Sequence, residues 1–127
     1  MKNINRLVIA QLNINSLRNK FESLKTLIKS NLDILIITES KLDQSFPSQQ
    51  FCIEGFSFPF RLDRNTNGGG IIIYIREDIP CKEIKNHNFT RYNLEGIFLE
   101  LNLRRTKWLL FGGYNPNKIS INIFYVI

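Results

Sequence analysis

Two short apolar runs bracket a segment whose apolar residues recur at helical spacing, and this pattern restricts the fold more than any other feature of the chain. Residues 7–12, with the β-branched pair Val8 and Ile9, read as a strand. Beyond them the period changes. Leu17, Phe21, Leu24 and Ile28 fall on one stripe, which predicts an amphipathic helix over 16–30 with that stripe facing a core. "DILIITES", residues 33–40, is a second apolar run that ends abruptly at Thr38 and Glu39. Strand, helix and strand in so short a span predict a β-α-β unit, with parallel strands and the helix packed on their sheet.

The rest of the chain favours strands. Residues 40–50 carry no period and read as loop, 51–60 are aromatic-rich and strand-like, and "NTNGGG" at 65–70 is a turn leading into the strand "IIIYI" at 71–75. Two further strands are expected at 94–103 and 107–113. "KISINIFYVI", at the end, is an apolar β-prone run without a turn or cap: either an edge strand, or a chain that stops within a fold. The class is mixed α and β around a sheet core.

Size and charge narrow the function. At 127 residues and 43% hydrophobic, the chain is long enough for one ordinary domain and too apolar for a disordered tail. Its formal charge of +6 is uneven: residues 1–30 hold six Lys or Arg against one acid, Glu22. A phosphate-bearing partner is compatible with that bias, although a basic surface alone does not establish one. Arg18, Glu22, Lys25 and Lys29 share a helix face that is either a solvated surface or a nucleic-acid contact. No apolar run reaches the roughly 18 residues of a membrane span and the N-terminus lacks a signal-peptide layout, so an intracellular protein, nuclear or cytoplasmic, without membrane contact is expected. Cys52 and Cys81 are too far apart for a CxxC metal site and read as buried free thiols. The sequon Asn88-Phe89-Thr90 carries no functional weight.

Chemistry concentrates where the strands end. Asn13 and Glu39 each leave a strand at its carboxyl end, so parallel neighbours would bring them to one rim of the sheet. A carboxylate beside amides suits Mg²⁺, which keeps several waters and takes one or two protein carboxylates. The competing reading is that Asn13 and Asn15 cap a helix beginning near Ser16. "GGYNPN", residues 112–117, follows a strand and contains Tyr114 and Asn117 around a turn proline. "NGGG" is not a phosphate-binding loop, because isoleucines follow the glycines where a Lys-Ser or Lys-Thr and a helix would be needed.

In order, "LNINSL", a helix, "DILIITES", "NGGGIIIYI" and "YNPN" resemble the endonuclease/exonuclease/phosphatase superfamily, nearest to the apurinic-type endonuclease domain at the front of LINE-type non-LTR retrotransposon (reverse transcriptase) proteins. The resemblance covers residues 6–117. It implies an α+β fold, part of a four-layered, deoxyribonuclease-I-like α/β sandwich, with 1–117 forming the N-terminal part of the domain and 118–127 a divergent or truncated tail. It also implies a DNA-nicking phosphodiesterase dependent on Mg²⁺ or Mn²⁺. Glu39 then matches the metal-binding glutamate, Asn13 the amide that positions metal and water, and Asn15 its neighbour in the motif. Tyr114 and Asn117 match the residues that contact the scissile phosphate.

The family's later Gly-Asp-x-Asn and Ser-Asp-His motifs do not occur in these 127 residues. The single histidine, His87, precedes the Tyr-x-Pro-Asn motif and reads as a surface residue rather than the family's general base. The expectation is therefore the first half of an endonuclease, inactive alone, with a sheet face exposed for self-association. Two alternatives are a basic nucleic-acid-binding remnant without catalysis, and a phosphatase or phosphodiesterase of the same fold acting on phospholipid or inositol phosphate.

Overall fold

The computed structural model describes residues 6–28, 31–85, 95–114 and 120–126, the last seven together with Glu95 and Tyr114 as backbone. Strands dominate, and they form two sheets. The first has the order β1-β2-β4-β3, from β1 (Ile9–Asn13), β2 (Ile34–Thr38), β3 (Phe60–Leu62) and β4 (Ile71–Ile75); the helix α1 (Phe21–Leu27) lies between β1 and β2 in sequence. The second has the order β5-β6-β7-β8, from β5 (Cys81–Ile84), β6 (Glu95–Leu103), β7 (Thr106–Tyr114) and β8 (Ser120–Val126).

β1 and β2 pair in parallel from Ile9↔Ile34 to Asn13↔Thr38, as β-α-β connectivity demands. β4 joins the other side of β2 antiparallel, with Ile36 opposite Ile73. Both β2 and β4 are buried along their whole length, which explains why their sequences read as continuous apolar runs without alternation. Each face of this sheet has its own core. Leu35, Ile37, Ile72 and Tyr74 pack under α1 and the loops against Leu17, Phe21, Leu24 and Phe51. On the other face Ile34, Ile36, Ile71, Ile73 and Ile75 meet Ile97, Leu99, Leu101, Leu103 and Leu110 of the second sheet. The described residues thus build three layers: helix and loops, sheet, sheet.

Close approach of the sheets depends on Gly112 in β7. A Cβ there would stand 2.6 Å from Ile73 Cδ1 and 3.2 Å from Ile36 Cγ2, so any side chain would wedge the layers apart. At the opposite end of the first sheet, fully buried Asp33 is held on three sides. Its carboxylate accepts from the Val8 amide at 2.8 Å and from the Arg76 guanidinium, and its carbonyl accepts from the Arg76 amide at 2.9 Å. That pairing ties the starts of β1 and β2 to the end of β4.

Several sequence expectations are corrected. The helix starts at Phe21 rather than 16, because Asn15 (φ 49°) and Ser16 (φ 87°) occupy the left-handed region and break helical geometry; Leu17 is still fully buried. Its N-cap is Lys20, with no side-chain cap, so neither Asn13 nor Asn15 caps α1. Residues 51–60 are largely not strand: a short 3-10 turn spans Ser48–Phe51 and only Phe60 enters β3. β5 was not expected at all, since a four-residue edge strand with two charged residues gives little periodic signal. Residues 120–126 pair with β7 as an edge strand. Cys52 is exposed rather than buried; Cys81 is half-buried, and both are free. No helix among the described residues is long and apolar enough to cross a membrane. His87, Lys29 and the sequon lie outside the described residues.

Candidate functional site

The rim is built by the continuation of the β1–β2 pairing past the ends of both strands. Where the ladder stops, at Asn13 and Thr38, the chains stay together: the Ile14 amide donates to the Thr38 carbonyl at 3.1 Å, Ser16 to Glu39 at 2.9 Å and Leu17 to Ser40 at 3.0 Å. Asn13, Asn15 and Glu39 are thereby brought to one edge. The parallel register sets Asn13 beside Thr38, on the face that looks toward the second sheet. Asn13 is exposed, and its side chain makes no hydrogen bond among the described residues.

Backbone strain collects here. Of the six non-glycine residues with left-handed φ among the described residues, four are Asn15, Ser16, Glu39 and Lys41. Such conformations cost about 1–3 kcal/mol each and persist where the surrounding structure holds them, commonly at functional sites. Two lysines hold this edge. Lys20 Nζ donates to the Ile14 carbonyl at 2.7 Å and the Asn15 carbonyl at 2.9 Å, while Lys41 Nζ donates to Asn15 Oδ1. The Asn15 amide oxygen is therefore already engaged by a cation.

Glu39 is fixed from the other side by the turn before β4. The Gly69 amide donates to Glu39 Oε2 at 3.1 Å, and the backbone around both residues is paired: the Lys41 amide with the Gly69 carbonyl at 3.0 Å, and the Ser40 amide with the Gly70 carbonyl at 3.3 Å. Thr38 and Ser40 flank Glu39 as buried residues whose hydroxyl oxygens find no partner among the described residues. Neighbouring loops are tied together by Arg61, which donates to Asp63, to the carbonyls of Phe46 and Asp43 and to Ser48 Oγ. Beside it, Asp43, Gln44, Ser45, Asp63 and Arg64 line an open groove of about 520 Å³. Hydrogen bonds from the Ser45 hydroxyl and amide hold the Asp43 carboxyl below its usual range.

The donor chemistry at the rim fits a hard divalent cation. Glu39 supplies one carboxylate and Asn13 an uncommitted amide oxygen, and among the described residues no group of three His, Cys, Asp or Glu side chains converges. One carboxylate with amides suits an ion that retains most of its water, such as Mg²⁺ or Mn²⁺, and not a closed protein cage.

Tyr114 ends β7, the strand whose Gly112 touches Ile36 and Ile73, so its backbone belongs to the layer packed on β2 and β4. Asn117 lies outside the described residues. Sequence reasoning missed three contributors. The sequence pattern places Lys20 in the helix, Lys41 in a loop and Gly69 in a turn; the last two meet residues 26 and 30 positions away, a pairing no local pattern reveals. The one available signal was three successive glycines before a buried strand, which point to left-handed backbone.

Compared with protein-family models and with curated proteins, the chain matches none.

Proposed function

We propose that this chain forms the metal- and phosphate-binding part of a divalent-metal-dependent DNA endonuclease of the endonuclease/exonuclease/phosphatase type, within a four-layered fold of that kind. The observation carrying this reading is that Asn13, Asn15 and Glu39 leave two paired parallel strands at one strained edge, where a backbone amide donates to the Glu39 carboxylate.

Phosphodiester hydrolysis requires stabilisation of charge on the phosphoryl oxygens, an in-line water and help for the leaving oxygen. Glu39 and Asn13 would hold Mg²⁺ or Mn²⁺, which when bound supplies Lewis acidity and a template for the phosphate. Exposed Arg18 and half-buried Lys41 bring positive charge to the same edge and suit the DNA backbone. Tyr114 and Asn117 act as hydrogen-bond donors to the scissile phosphate. The 127 residues contain neither a Gly-Asp-x-Asn nor a Ser-Asp-His motif, so they supply no general base of the family type and bind DNA without cleaving it efficiently. Self-association, part of the same reading, would use the outer face of the second sheet, where Phe98 and Leu109 are half-buried.

The test is binding of a short labelled duplex, read by fluorescence anisotropy in Mg²⁺ and in EDTA, beside nicking of supercoiled plasmid. Expected are duplex binding strengthened by Mg²⁺ in the native chain but not in Glu39→Ala, and nicking no higher than the variant's. Duplex binding indifferent both to Mg²⁺ and to Glu39→Ala would instead favour a basic binding surface without a metal site.

A further inference from the structure

We infer that the Gly69–Gly70 turn is a specificity device: it commits Glu39 to binding a cation through one oxygen, and so selects Mg²⁺ or Mn²⁺ over Ca²⁺. The inference rests on the reading of Glu39 as a metal ligand and adds to it a role for residues that touch no substrate.

A carboxylate binds a cation through one oxygen or chelates it through two. Ca²⁺, with six to eight ligands and flexible geometry, accepts the chelating mode readily, whereas Mg²⁺ demands a near-ideal octahedron that a chelating carboxylate distorts. At Glu39 the choice is constrained before any ion arrives. Oε2 accepts the Gly69 amide at 3.1 Å, and an N–H dipole aimed at that oxygen opposes a cation approaching it. Oε1 accepts no hydrogen bond among the described residues and is the oxygen left for an ion.

The turn is built to keep that amide in place. Glu39 (φ 55°), Lys41 (φ 54°), Gly69 (φ 71°) and Gly70 (φ 94°) are all left-handed, and two backbone hydrogen bonds lock the pair of segments together. A side chain at either glycine would force a neighbouring side chain to shift. A Cβ on Gly69 would lie 2.2 Å from Arg64 Nε, because the guanidinium lies over the turn. A Cβ on Gly70 would lie 2.3 Å from Ser40 Oγ, a buried hydroxyl without a hydrogen-bond partner among the described residues. The two backbone hydrogen bonds, with Gly70 packed on Ser40, hold the turn that presents the Gly69 amide to Glu39. Gly69 is a positioning residue acting through Glu39.

The experiment follows the amides of the full chain by ¹⁵N NMR during separate titrations with MgCl₂ and CaCl₂, with Mn²⁺ affinity measured in parallel by counting free ion. Expected in the native chain are retention of the downfield, slowly exchanging Gly69 amide on Mg²⁺ binding, and a preference for Mn²⁺ over Ca²⁺. In Gly69→Ala the left-handed φ of 71°, strained for alanine, displaces the amide, and the Mn²⁺/Ca²⁺ preference falls at least about fivefold. Loss of the Gly69 hydrogen bond on Mg²⁺ binding, or equal affinity for Mn²⁺ and Ca²⁺ in the native chain, overturns the inference while leaving Glu39 a ligand. Mn²⁺ binding unaffected by Glu39→Gln overturns the ligand assignment itself. The NMR arm uses only the native chain, so a Gly69→Ala that fails to fold does not blunt the test.

Discussion

Tyr74 illustrates how a single residue links strand and loop. Its ring is fully buried under the helix layer, edge-on to Phe56, and its hydroxyl donates to the Phe51 carbonyl at 2.7 Å. Burial first, and repulsion from negative charge at nearby Cys52 second, push its ionisation well above the ordinary value near 10. Above that value the unfolded chain loses the Tyr74 proton while the folded chain keeps it, so the unfolded state gains and stability falls with rising pH. Between about pH 10 and pH 11 the native chain should therefore lose up to about 1.4 kcal/mol more than Tyr74→Phe, as read from urea denaturation at each pH. Equal slopes would contradict the burial of this hydroxyl. In sequence, Tyr74 is one more apolar residue in "IIIYI"; its hydrogen-bond partner, 23 positions earlier, was not legible. Glu39 was legible, because a carboxylate closing a run of buried isoleucines has to emerge at a strand end. Its partner Gly69 was not, because the contact depends on how two separate turns close.

At the scale of elements, the β-α-β unit was readable because β1, α1 and β2 each have a clear apolar period. The start of α1 was not, since Leu17 lies on the helical stripe yet belongs to the strained turn that carries Asn15 and Ser16. The hairpin joining β6 and β7 shows a similar conflict between residue type and backbone. Leu103 pairs with Thr106 across Arg104 (φ 49°) and Arg105 (φ 63°), a two-residue turn with both central residues left-handed, a geometry that favours Asn-Gly. Replacing Arg104→Asn and Arg105→Gly together should raise stability by about 1 kcal/mol or more, measured by chemical denaturation. A destabilised double variant would mean that the arginine side chains contribute more through their contacts than their backbone costs.

For the whole molecule, the informative contact is the one between sheets. The first sheet leaves neither face bare, since α1 and the loops cover one and β5–β8 the other. Sequence patterns showed that β2 and β4 were buried but not what covered them: a continuous isoleucine run is the same whether the partner layer is helix or sheet. Gly112 sets the spacing. Gly112→Val should cost about 1–3 kcal/mol in a urea melt, through collision with Ile73 and Ile36, whereas unchanged stability would place β7 elsewhere. The same packing lays β7, whose backbone ends at Tyr114, against β2, the strand that leads into Glu39.

The claim on which this account turns is that Glu39 binds a divalent cation, and counting Mn²⁺ bound to the purified chain by electron paramagnetic resonance tests it most directly. The account predicts one bound ion in the native chain, displaced by Mg²⁺ and lost in Glu39→Gln. No bound ion, or binding that survives Glu39→Gln unchanged, would contradict it.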